Sequence, residues 1–242
     1  MVLLKEKLSA DFSPPLSIAQ EVSRHLEKKI ILNELKPGTR LIERNLSESL
    51  GVSRISIREA FRMLESAGLV KIIPRKGAQV TAITKREIEE IYSLRANLVG
   101  LAAKLAAQNI RKEDLASLIR IAKQMAEKAR ENDLNGYFPL NLKFHRLLSQ
   151  AGGNQRLHKI LENFGKQTHR FRYASMSLPG RIKKSNAYHQ QLIAALKEGN
   201  GKRAEKIARA IIEEAGQALM EHPFEESYEF PGLFKKSNSE EV

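Results

Sequence analysis

The sequence predicts a mostly α-helical protein: three short helices with a small β-hairpin, then a bundle of about six longer helices. Three observations lead there. Apolar residues recur every three or four positions through most of residues 17–221, a turn of Pro74, Arg75, Lys76 and Gly77 separates two short runs rich in Val and Ile, and beyond residue 86 no alternating run of strand length occurs.

The first helix is expected from about Ser17 to Leu32, with Ile18, Val22, Leu26 and Ile30 on one face. Leu35-Lys36-Pro37-Gly38 is a turn signal, and Thr39 to Leu41 can form a very short strand. A second helix from about Glu43 to Leu50 ends at Gly51, which suits a left-handed cap. Ser53 caps a third helix through about Ala67, and Gly68 stops it. Residues 69–73 and 78–80 make the hairpin, with Gly77 free to take the backbone angles of a tight turn. Long helices follow over roughly 87–109, 112–131, 136–151, 154–176, 181–199 and 201–221, separated by polar turn residues, glycines or Pro179. The organisation is therefore an N-terminal arm (1–14), a small domain (15–80), a linker (81–86), a helical domain (87–221) and a tail (222–242) whose Phe224, Phe230 and Phe234 are expected to dock part of it against the body.

The 242 residues, 42% hydrophobic and 29% charged, are enough for a proper core, and no apolar run approaches the roughly 18 residues of a membrane span. The N-terminal residues lack a basic leader and an apolar core of signal-peptide length, so the cytoplasm is the expected compartment, with no membrane partner. The absence of cysteine excludes disulfides and leaves any metal to nitrogen and oxygen ligands. A net charge of +13 favours a polyanionic partner, because a basic surface releases condensed counterions on DNA or RNA. Residues 1–80 carry 14 basic and 9 acidic side chains and the remainder 27 and 19, so basicity is spread over both parts. The case for DNA must come from pattern.

That pattern lies in residues 46–70. Leu46, Leu50, Val52, Ile57, Phe61 and Leu64 are spaced to pack two short helices across a turn, as a helix-turn-helix requires, and the hairpin adds a wing. Ser53 and Arg54 start the proposed recognition helix, and Ser56 and Arg58 lie in its next turn, where hydroxyls and guanidinium groups reach base edges or phosphates. Arg62 is better placed for the DNA backbone than for bases. Arg75 and Lys76 sit at the wing tip beside Gly77, suited to a minor groove or neighbouring phosphates. The competing reading makes Arg54 and Arg58 solvated helix residues paired with Glu48 or Glu59, and the tip a basic surface turn. The run 46–70, the Pro-Gly turn at 37–38 and residues 74–80 resemble the GntR family of regulators. That resemblance implies a homodimer on a pseudo-palindromic double-stranded operator, with Arg54, Arg58 and Gly77 at the DNA interface and Ser53 and Ser56 near bases or backbone. Family members often have Thr-Pro before the following Val-Arg; this chain has Ile55-Ser56-Ile57-Arg58, which offsets the hydroxyl by one position.

In the larger domain Arg95 is a lone basic residue between apolar helix positions, suited to clamp a carboxylate if it turns inward, or else to pair with Glu89 or Glu90 on the surface. Asn141 and His145 share a helix face, and His189 begins another apolar helix; histidines at such positions also serve as ordinary core residues. Leu94-Arg95 with the alanine-rich run after it, Phe144-His145-Arg146 leading to Gly153-Asn154, and residues 189–200 resemble the FCD-type ligand-sensing domain of the FadR-like branch of that family. In many such domains an aspartate and three histidines hold a divalent metal that helps bind an organic acid. By that resemblance His145 and His189 keep two histidine positions, Asn141 stands at the aspartate and Ile211 at the last histidine, with His169 as a possible substitute. No cofactor is therefore expected to be required. Zinc, nickel or manganese would bind weakly at most, and Arg95, Asn141, His145 and His189 would bind a carboxylate effector, an organic or sugar acid, directly. An enzyme is not expected, since a nucleophile elbow, a phosphate-binding glycine loop and a carboxylate-histidine cluster are all missing. A non-specific architectural nucleic-acid binder would explain the charge but not the helical domain. A repressor is the expected type of regulator.

Overall fold

The computed structural model describes residues 16–222, so the N-terminal arm and the three tail phenylalanines lie outside it. In chain order the elements are α1 (Ile18–Ile31), β1 (Arg40–Leu41), α2 (Glu43–Leu50), α3 (Arg54–Ser66), β2 (Val70–Ile73), β3 (Gly77–Val80), α4 (Lys85–Asn109), α5 (Lys112–Arg130), α6 (Leu134–Ala151), α7 (Gln155–Ser177), α8 (Arg181–Lys197) and α9 (Gly201–Glu221).

Ser17 starts α1 with a capping box: its hydroxyl accepts from the Gln20 backbone while the Gln20 side chain accepts from the Ser17 N–H. Val22, Leu26 and Ile30 turn inward, but Ile18 at the head of that period stays 54% exposed, while Ala19 beside it is buried. Gly51, in the left-handed region at φ 65, lets the chain reverse between α2 and α3, and the Ser53 side chain accepts from Ser56 N to start α3. Ile57, Ala60, Phe61 and Leu64 of α3 then close one core with α1, Leu41, Leu69, Val70, Ala78 and Val80. The sheet is antiparallel in the order β1-β3-β2, with Arg40 opposite Gln79 and Ile73 opposite Gly77. This is a winged helix-turn-helix.

The second core is all-helical, and α4 with α9 is its most extensive pairing. Gly216 permits that closeness, since a Cβ there would lie 2.8 Å from the Tyr92 ring. Helix α4 begins two residues before its expected start because Thr84 and Glu87 form a second capping box. The short connector, residues 81–84, is held from both sides. The Thr81 N–H donates to Leu69 O and its hydroxyl to Gly68 O, while Arg170 of α7 donates through Nη1 to Thr81 O (3.1 Å) and through Nη2 to Glu87 Oε1 (3.0 Å). A small apolar cluster of Ile31, Phe138 and Tyr173 joins α1 to α6 and α7.

Gly77 has a structural reason for its identity. Its φ is +91, and a Cβ there would overlap the Leu41 carbonyl oxygen of β1. A G77A variant is therefore expected to lose about 2 kcal/mol or more of small-domain stability, from strain and displacement of β1. Chemical denaturation followed by limited proteolysis of the wing checks this, and an unchanged midpoint would contradict it.

Candidate functional site

The first turn of α3 is exposed and basic. Ser53 and Ser56 are turned toward each other, with hydroxyls 2.9 Å apart and the Ser56 N–H already bonded to Ser53, so their first role is to build the helix start. Arg54 is exposed and makes no ion pair among the described residues, and the same holds for Arg62, Arg75 and Lys76. Arg58 is paired, but with neither Glu48 nor Glu59: its Nε donates to Glu43 Oε2 across the helix-turn-helix at 2.7 Å. Residue 43 is fifteen positions away in sequence, and only the packing of α2 on α3 brings it near. Glu48 instead lies 3.9 Å from Arg44. The wing tip is tied down by Arg40, whose Nε donates to Lys76 O, and Arg75 takes a positive φ of 62. Ile55, to which the sequence pattern alone assigns no contact, is 68% exposed beside Arg54. The signal was available, since the buried face of α3 is set by Ile57, Phe61 and Leu64 and leaves Ile55 outside it. An exposed β-branched side chain at a recognition-helix start suits the thymine methyl group.

In the helical domain Arg95 is not at the surface with Glu89 or Glu90. It is buried, 6% exposed, with its guanidinium 5.3 Å from the centroid of the Tyr92 ring. Asn141, His145 and His189 do come together, and Arg172 of α7 joins them. Arg172 Nη2 donates to Asn141 Oδ1 at 2.7 Å, which leaves Asn141 Nδ2 to donate to His189 Nε2 at 3.3 Å. His189 Nδ1–H donates to the Ser185 carbonyl at 2.7 Å, so its Nε2 carries the ring's single lone pair, which the Asn141 amide and His145 Nε2 both approach at 3.3 Å. Among the described residues, His145 Nδ1 and Arg172 Nε are then buried without partners. Arg172 was not found by sequence reading: its period, with Thr168 and Ser175, is that of any core helix, and nothing local distinguishes it from Arg170.

Burial sets the electrostatics. It lowers Arg95, and it lowers Arg172 well below the ordinary arginine range with Arg95 adding to the effect. It pushes His145 well below 6.5, with Arg172, His189 and Arg95 reinforcing it, and His189 down to about 4. The cluster borders a cavity of about 590 Å³ lined by Arg95, His145, Leu161, Phe164, Thr168 and Arg172 among others. A recess of about 20 Å³ behind it is lined by Asn141, Ser185 and Ile211.

These residues do not fit a divalent metal. Among the described residues no group of three or more His, Asp or Glu side chains converges. The Asn141 oxygen already accepts from Arg172, whose cation would oppose a second positive charge, and Ile211 offers no donor. His169 lines the cavity but is directed to α1 and α6, with Nδ1 3.7 Å from Glu27 and its ring edge-on to Phe138.

The neutral His189 has a consequence for stability. The unfolded chain takes up its proton near pH 6.5 and the folded chain only near pH 4, so this contribution is complete above pH 6.5 and is lost as pH falls toward 4. Unfolding free energy is expected to drop by about 2 kcal/mol on this account between pH 7 and pH 5, and H189Q to remove that part of the slope. Urea titrations at each pH read it, and identical slopes for the two proteins would contradict it.

The comparisons with known proteins agree with this two-part arrangement. Residues 18–80 match the model of bacterial regulatory proteins of the gntR family, and residues 90–214 match the FCD domain. The chain is 33% identical over 183 residues to the HTH-type transcriptional regulator YdhC of Bacillus subtilis, covering 75% of this chain and 81% of that one. It is 26% identical over 212 residues to the HTH-type transcriptional repressor RspR of Escherichia coli, covering 88% and 93%. The solved structure of E. coli McbR/YncC shares the fold, with a TM-score of 0.71 at 24% identity over 85% of this chain and 98% of that one. With both its winged helix and its helical bundle matched, the chain belongs to the GntR family of DNA-binding transcriptional regulators and carries an FCD domain.

Proposed function

We propose that this regulator is a cytoplasmic repressor that binds a pseudo-palindromic operator as a homodimer and is controlled by a small organic or sugar acid in the helical domain. The carrying observation is the cavity bordered by α7: the helix that contributes Arg172 to it also grips the connector through Arg170 and meets α1 through His169. An acid that moves α7 thereby biases the orientation of the DNA-reading heads. The name of RspR supports the repressor reading. The dimer reading is supported by the outer face of α4, where Leu94 (57%) and Leu101 (40%) are exposed with half-buried Leu98 between them, a spacing that seats a second copy. Two heads then read half-sites about one helical turn, roughly 34 Å, apart.

In the complex Arg58 exchanges Glu43 for a base edge or phosphate beside Arg54, while Arg62, Arg75 and Lys76 hold the backbone. An R58A variant is expected to bind its operator about 10- to 100-fold more weakly and to lose discrimination against random duplex. An R75A/K76A variant is expected to weaken both duplexes together and to flatten the salt dependence by about two units of slope. Fluorescence anisotropy with the DNA upstream of the protein's own gene, at several salt concentrations, reads both. Equal affinity of the wild-type protein for operator and random duplex would overturn sequence-specific repression in favour of an architectural role.

A further inference from the structure

Arginines largely withdrawn from solvent in the helical domain differ in their counterions. Arg170 has Glu87 at 3.0 Å and Arg181 has Glu214 at 3.8 Å. Among the described residues, Arg95 and Arg172 have no carboxylate, although both are more than nine-tenths buried and both border the large cavity and the recess behind it. Arg172 spends one N–H on Asn141 and leaves its buried Nε–H without a partner. The cavity lining also holds Lys143 and Arg146, and its acidic side chain, Glu162, is bonded to Arg146 at 2.8 Å. The cavity therefore supplies no counterion of its own.

A guanidinium keeps its proton inside a protein, and an unpaired buried charge is unfavourable, two like charges more so. We propose that the cavity is completed by a small oxyanion carrying two negative charges, held by the planar forks of Arg95 and Arg172, with Arg172 taking the part of a metal ion. Each fork matches the two oxygens of a carboxylate or phosphate, so a dicarboxylate and a phosphate monoester present the same chemistry. The neutral imidazole of His189, itself in contact with His145, holds Asn141, and through it the Arg172 fork, without adding a third cation.

This inference rests on the cavity being the effector site, and the binding itself is tested without DNA. The full chain, stripped with chelator, is melted with malonate, inorganic phosphate or acetate up to 10 mM, with and without zinc. A saturable rise is expected with malonate or phosphate, about 5–10 °C once the anion is a hundredfold above its Kd, unchanged by zinc and absent with acetate. The more effective of the two dianions identifies the source. R95M and R172M are expected to abolish the rise while melting no lower than wild type without anion, because each removes a buried unpaired charge; R172K is expected to retain a shift at least tenfold weaker in concentration. No rise with either dianion, an equal rise with acetate, a rise that needs zinc, or a rise that survives in both Met variants would each overturn the proposal. A dianion that binds but leaves operator affinity unchanged would keep the site and remove the effector reading. Absence of binding would remove the site and leave operator recognition standing.

Discussion

An arginine cannot shed its charge to suit an apolar setting, and Arg95 and Arg172 bring two such charges into the core of the helical domain with no carboxylate on either among the described residues. Much of the surrounding chemistry follows. Histidines beside two fixed cations in a dry site remain neutral, and His189 Nδ1 is left to donate to Ser185 O. The resulting tautomers turn Asn141 so that its oxygen faces Arg172. A divalent ion finds its oxygen ligand taken and a like charge in its place.

Helix α7 carries the consequence outward. Within five residues it presents His169 toward Glu27 of α1, Arg170 toward Thr81 and Glu87, Arg172 toward Asn141 and Tyr173 toward the cluster with Ile31 and Phe138. The connector is correspondingly short and anchored, with the Thr81 hydroxyl bonded to the end of the DNA-reading domain and its carbonyl to α7. A single helix that touches the cavity, the connector and α1 within five residues couples them through direct contacts, with no need for a long relay.

Local pattern and long-range pairing were not equally legible in the sequence. The caps at Ser53 and Gly51, the apolar faces of α1 and α3 and the glycine breaks of the bundle are local signals, and the helices and strands fall within a few residues of where those signals place them. Arg95 stands out as a lone basic residue between apolar positions, Asn141 and His145 by their shared helix face, and His189 at the start of an apolar helix. Glu43 as the partner of Arg58, and Arg172 as the partner of Asn141, depend on packing between residues 15 and 31 positions apart, which periodicity does not encode. The same limit explains the surface pairing considered for Arg95: Glu89 and Glu90 are near in sequence, yet α4 turns the arginine toward Tyr92 and the core.

The central claim is that acid binding in the cavity and the hold on the connector share α7. Hydrogen exchange of the chelator-treated protein with and without malonate tests it most directly. The account predicts slowed exchange both in residues 164–176 of α7 and in residues 81–88, with the second change lost in R170M while the first remains. Slowing confined to α7 in the wild-type protein, with residues 81–88 unchanged, would contradict it.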